Sequence, residues 1–190
     1  SLGVVLVCIV SFFDLQKAIP IGFLMIAASI VFFLYQVFLI YKKRVRKESD
    51  IWYHSLIVSF CSLVVSLLLM FVAFGIGGDK YLKLSGFIFG TGFLSFLITG
   101  HIYKILPFLV WFNRFSPLVG KKKVPMLHQM VPKQEAKFQF VFGLGGVVFC
   151  SLGILFENMT LWYCGASFFV IGSVFLFVSI IWMMRFKAGE

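Results

Sequence analysis

The sequence predicts an all-α protein, a polytopic transmembrane helix bundle of about six spans, and three observations carry that expectation. Hydrophobic residues fill 61% of the 190 positions, 26 of them phenylalanine, and the mean hydropathy of +1.04 exceeds what an aqueous surface tolerates. The apolar residues come in runs close to the ~20 residues that a helix needs to cross the hydrocarbon core. Charges stand mainly between those runs, where loops belong.

Six runs follow in order. The first, about 2–13, is short and ends at Asp14, as a truncated span or partly inserted helix would. The chain opens at Ser1 without a basic start or small-residue cleavage site, so a processed or truncated product is expected rather than a cleavable signal. The second run, 18–41, has Pro20 in its first turn, where a missing N–H costs little, and stops at the basic string from Lys42 to Lys47. The third, 51–75, starts behind Ser49 and Asp50, a cap-forming pair, and ends at Gly75-Ile76-Gly77-Gly78.

The fourth run, 82–112, would be ~46 Å long as a helix. Longer than the membrane core, it must tilt, kink or protrude, and Pro107 is the expected kink. The fifth, 138–156, carries Gly143, Gly145, Gly146, Ser151 and Gly153; the sixth, 161–184, carries Gly165, Ala166, Gly172 and Ser173. Small residues at that density let helices pack closely. The whole chain, 1–190, is expected to be one transmembrane domain, with basic loops at 42–50 and 113–137.

The charge distribution gives an orientation. Of the 17 Lys and Arg, 13 fall in those two loops and the C-terminal tail, three (Lys17, Lys80 and Lys83) fall on the opposite side, and Lys104 lies inside the fourth run. By the positive-inside rule both loops and the C-terminus are cytoplasmic, which fits a multi-pass protein of the cytoplasmic (inner) membrane. The net charge of +10 is then explained by loops facing lipid headgroups, and nucleic acid is not an expected partner. Trp52, Trp111, Trp162 and Trp182 fall near run ends, at headgroup level.

No phosphate-binding glycine loop, zinc-protease helix or nucleophile elbow occurs, and only seven acidic residues are present. Cys8, Cys61, Cys150 and Cys164 lie in apolar runs without metal-binding spacing and read as small apolar fillers. Polar residues inside lipid-facing sequence remain, and these are costly enough to carry a functional hypothesis. In Gly100-His101-Ile102-Tyr103-Lys104, His101 and Lys104 share a helix face while Tyr103 points elsewhere. Lys104 is expected to snorkel toward the cytoplasmic surface.

His54 lies toward the same leaflet on the antiparallel third run, so two imidazoles facing each other in the bundle would ligate one haem iron or a metal. The plainer alternatives are an interfacial His54 beside Trp52 and Tyr53, and a His101 bonded to a neighbouring helix. His128, between Met126 and Met130, offers soft ligands for copper or haem, although Pro125 and Pro132 mark an extended loop there.

The string Thr99-Gly100-His101-Ile102-Tyr103 resembles a ligand-bearing helix of subunit I of the haem–copper oxidases and of the related NnrS-type membrane proteins. Ala18-Ile19-Pro20-Ile21-Gly22 is similar to that superfamily's proline-glycine entry to an earlier helix, and Lys137-Phe138-Gln139-Phe140 to the start of the helix after the ligand helix. The six runs would correspond to the last six of twelve spans. The second ligand position of the family reads Tyr103, and its copper-binding histidine pair has no counterpart in the first run. The family's ligands lie nearer the outer face, whereas His101 falls nearer the cytoplasmic side. The resemblance therefore implies one haem ligand at His101, with the rest of the site on missing sequence or on another subunit and no copper from this chain alone. The residues themselves offer His54 as a second ligand, with Tyr103 and Lys104 beside the cofactor.

Two rival functions follow from the same residues. Gly86, Gly90, Gly92 and Gly100 would let the fourth helix bend around a small solute, as in a transporter or channel-like bundle. A structural membrane subunit would use every polar residue as interface glue. The lipid bilayer is the expected partner in all three cases, with other membrane subunits or a second copy of the chain beside it.

Overall fold

The computed structural model describes residues 19–43, 50–76, 78–121 and 124–186. Among them the chain is all-helical, without strands, and five helices are long and apolar enough to cross a membrane. The expected span at 2–13 lies outside the described residues. Contacts divide the chain into two compact units, Ser1–Glu48 and Ser49–Glu190.

In the first unit, α1 runs over Ile19–Lys42 and ends on its only basic last-turn residue, Lys42. Ser29 returns its hydroxyl to the Met25 carbonyl at 2.8 Å, so this polar side chain in mid-helix is satisfied locally.

The second unit begins with α2, Ile51–Ile76. The Asp50 carbonyl accepts from the Tyr53 and His54 amides at its start. From Asp79 to Arg114 runs a continuous helical rod of 36 residues. It consists of α3 (Asp79–Phe87), a π-helical stretch (Ile88–Leu94) and α4 (Ser95–Arg114). Pro107, the expected kink, is buried inside α4, and the departure from α geometry lies earlier, around Gly90 and Gly92. Short 3-10 turns at Ser116–Leu118 and Leu127–Met130 lead to α5, Lys133–Phe156, and α6, Met159–Arg185.

Small residues set the helix spacing. A Cβ on Gly165 would collide with Cys150 Sγ and sit 2.6 Å from the Cys150 amide nitrogen, and one on Gly153 would sit 2.8 Å from the Trp162 nitrogen. The α5 and α6 backbones therefore touch along the glycine line seen in the sequence. Between α2 and the rod a line of hydroxyls takes the same role: Ser55, Ser59, Ser62 and Ser66 fall at spacings of four, three and four residues on α2. A Cβ on Gly92 would lie 2.7 Å from Ser62 Oγ, and one on Gly100 3.0 Å from Ser55 Cβ.

Large apolar side chains face outward, among them Leu68, Phe74, Phe108, Val170 and Phe177. That is the surface a bilayer solvates, and it makes this chain a multi-pass membrane protein by length and composition of its helices.

Candidate functional site

The site begins with the face that α4 buries. Phe96, Gly100, Tyr103 and Pro107 recur every three or four residues and point into the bundle. Phe96 packs edge-on against Phe140 of α5 with ring centroids 5.6 Å apart, and Tyr103 packs with Ala136 of α5 and Met183 of α6. Gly100 turns toward α2, where Ser55 fills the space its missing side chain leaves.

His101, next in sequence, lies about 140° around α4 from Phe96 at ~100° per residue. It is half-buried, and its Nδ1 is 2.7 Å from the Leu97 carbonyl. A carbonyl only accepts, so Nδ1 carries a proton, and Nε2 is the nitrogen left to offer a lone pair when the ring carries no second one.

His54 is placed differently from the expected facing pair. Its ring is exposed, its Nδ1 donates to the Asp50 carbonyl at 3.2 Å, and it meets Phe140 edge-on at 6.3 Å. It thus sits on the α5 side of the α2–α4 contact, whereas His101 sits on the opposite side. No hydrogen bond or ring contact joins the two imidazoles.

Tyr103 and Lys104 part company as consecutive helical residues must. Tyr103 is 4% exposed in the core, and Lys104 is exposed with Nζ 3.6 Å above the centre of the Trp52 ring. Lys104 thereby makes a cation–π contact from α4 to the first turn of α2. His128 is exposed in the 3-10 turn Leu127–Met130. Among the described residues no three His, Cys, Asp or Glu side chains gather to hold a metal ion. His101 and His54, the two residues expected to face each other, lie on different sides of the α2–α4 contact.

The loop after α4 is tied back. Trp111 Nε1 donates to the Pro125 carbonyl at 2.9 Å, and Arg114 Nη1 to the Phe186 carbonyl at 3.2 Å. The ends of α4 and α6 are therefore held together on the side bearing the basic loop.

The π-helical stretch is a second polar centre that sequence reading missed. Thr91 Oγ1 donates to the Phe87 carbonyl at 2.8 Å, Ser95 Oγ to the Gly90 carbonyl at 3.2 Å, and Ser59 Oγ of α2 to the Phe93 carbonyl at 3.0 Å. Such stretches occur often at functional sites. The serine spacing on α2 was the available signal, since hydroxyls at helical spacing on an apolar run mark a buried face.

No protein-family model, curated protein or solved structure matches the chain.

Proposed function

We propose that this chain is a haem-associated membrane protein of respiratory electron-transfer or nitric-oxide type, with His101 as an axial ligand. One observation carries the reading: His101 Nδ1–H is fixed on the Leu97 carbonyl, which leaves Nε2 of the half-buried ring as the nitrogen to offer a lone pair. Ligating histidines hold their second nitrogen on a carbonyl or carboxylate in this way, which sets both tautomer and ring orientation. Haem bound there would supply one-electron redox chemistry. Lys104, one turn further along, puts a cation at the rim of the His101 face, suited to a propionate. Tyr103, turned into the core, braces α4 from behind. His54 is not assigned as second ligand in this reading; that ligand would come from another subunit, a second copy or residues outside those described.

The proposed topology has six spans including 2–13, both basic loops and the C-terminus cytoplasmic, and the inner membrane as location. Its support is the charge asymmetry between the two sides. Haem content per purified chain tests the site. His101→Ala is expected to remove the haem and His54→Ala to leave it; full haem in His101→Ala would exclude the ligand.

A small-solute transporter or channel-like bundle is the second reading, and the π-helical stretch beside the serine line favours it. Glycines and hydroxyls there offer the backbone freedom and polar groups that a mid-membrane binding site uses. Solute flux into proteoliposomes that falls in Ser59→Ala would support it, and flux unaffected by that change would count against this location.

A further inference from the structure

The chain between α4 and α5 packs an inner side and leaves an outer one apolar. Phe115 is buried and meets Phe186 edge-on with ring centroids 6.4 Å apart, and Met130 is fully buried. The Trp111 bond to the Pro125 carbonyl pins the later part of this segment to α4. Leu118, Val119, Met126 and Leu127 nevertheless stay exposed, Val119 at 54% and Met126 at 65%. A loop surrounded by water turns polar side chains outward once its inner side is filled, so this outer set calls for an apolar medium.

The charge around the set has one sign. Lys121 follows the first 3-10 turn by three residues and Lys133 the second by three, with Lys137 one helical turn further along α5, and all three are exposed. Between Asp79 and Glu157 the sequence holds a single acidic residue, Glu135, which is half-buried. Apolar side chains set among lysines fit an anionic lipid surface, whose acyl boundary takes the former and whose phosphates take the latter. An acidic protein would match the charge equally, but continuity favours lipid. Ile98, Ile105 and Phe112 stand exposed at seven-residue intervals, two helical turns each, so the lipid-facing stripe of α4 runs on to within four residues of Ser116.

We propose that the two 3-10 turns and the residues flanking them form an interfacial lipid-binding surface. Leu118, Val119, Met126 and Leu127 enter the acyl boundary of the adjoining leaflet, while Lys121, Lys133 and Lys137 hold anionic phospholipid headgroups. The headgroup contact is what seats the apolar side chains, which goes beyond a positive loop lying near a membrane. The surface is independent of His101 and of any haem.

Lipid crosslinking from the full chain in nanodiscs tests the surface. A benzophenone-bearing phenylalanine replaces Val119 or Met126, with the same probe at the outward Val170 of α6 as the lipid-facing reference. In discs containing phosphatidylglycerol, both positions are expected to give phospholipid adducts at yields comparable with Val170. Discs of phosphatidylcholine alone, or the Lys121→Gln/Lys133→Gln/Lys137→Gln chain, are expected to bring both down several-fold. Val170 should keep its yield throughout, which reports that the chain is still inserted. Yields several-fold below Val170 in the phosphatidylglycerol discs would overturn the proposal. High yields that ignore both lipid charge and the lysines would overturn it as well, and so would adducts to a second chain in place of lipid.

Discussion

Ser66 and Ser85 exchange hydrogen bonds across the α2–α3 contact. Ser66 Oγ donates to the Ser85 carbonyl at 3.0 Å and Ser85 Oγ to the Ser66 carbonyl at 2.8 Å, with the two hydroxyl oxygens 3.2 Å apart. Both residues are 5% exposed, so neither hydroxyl has water as an alternative. Interhelical hydrogen bonds in membranes are worth ~0.6 kcal/mol on average, so each serine-to-alanine change should cost about that much. Because each acceptor is main chain and survives the other's replacement, the double variant should cost close to the sum. Unfolding in mixed micelles measures this; a strongly sub-additive double variant would show that the two hydroxyls act mainly on each other.

Glycines on the two sides of the bundle should respond in opposite directions. Gly165→Ala drives a Cβ into Cys150 and its backbone, which can yield only if α5 and α6 separate, at a cost of about 1–3 kcal/mol. Gly86→Ala meets nothing within 4 Å and replaces a poor helix former, so it should gain up to ~1 kcal/mol. Thermal stability of the two variants in one detergent checks the pair, and a Gly165→Ala chain as stable as Gly86→Ala would refute the backbone contact.

Glu157 ends α5 in the left-handed region at φ 53°, its amide bonded to the Gly153 carbonyl. A side chain there costs about 1–2 kcal/mol that glycine avoids. Its ion pair with Lys80, 3.4 Å long with Glu157 78% exposed, returns little of that. Glu157→Gly should therefore stabilise the chain, by about 0.5–1 kcal/mol once glycine's greater unfolded freedom is set against the relieved strain. A lower melting temperature in Glu157→Gly would mean that the ion pair matters more than the backbone.

Trp111 and Arg114 hold the basic loop and the end of α6 to the end of α4. Trp111→Phe keeps an aromatic ring but loses the bond to Pro125. Trypsin should then cut at Lys121 faster, and only from the cytoplasmic side of sealed vesicles if the charge asymmetry sets orientation. Cutting from the outside would invert the topology.

The helices were legible because hydropathy and flanking charge report the same boundary. The third run, 51–75, becomes Ile51–Ile76, and the sixth, 161–184, becomes Met159–Arg185. Hydropathy sees lipid rather than helix, so it missed the polar first turns of α5, which begins at Lys133 rather than Phe138. Pro107 was the visible irregularity, yet the π-helical stretch formed around Gly90 and Gly92, where α2 approaches through Ser62; that contact is tertiary and leaves no local mark. The opposed directions of Tyr103 and Lys104 followed from helical spacing alone. The separation of His54 from His101 did not, because it depends on where Phe140 of α5 enters, against α2 and α4 together.

The claim that His101 is a ligand is tested most directly by a reduced-minus-oxidised absorption spectrum of the purified chain, taken beside that of His101→Ala at equal folded protein. The account predicts a haem difference spectrum in the first sample and its loss in the second. A folded, colourless chain, or a spectrum unchanged by His101→Ala, would contradict it.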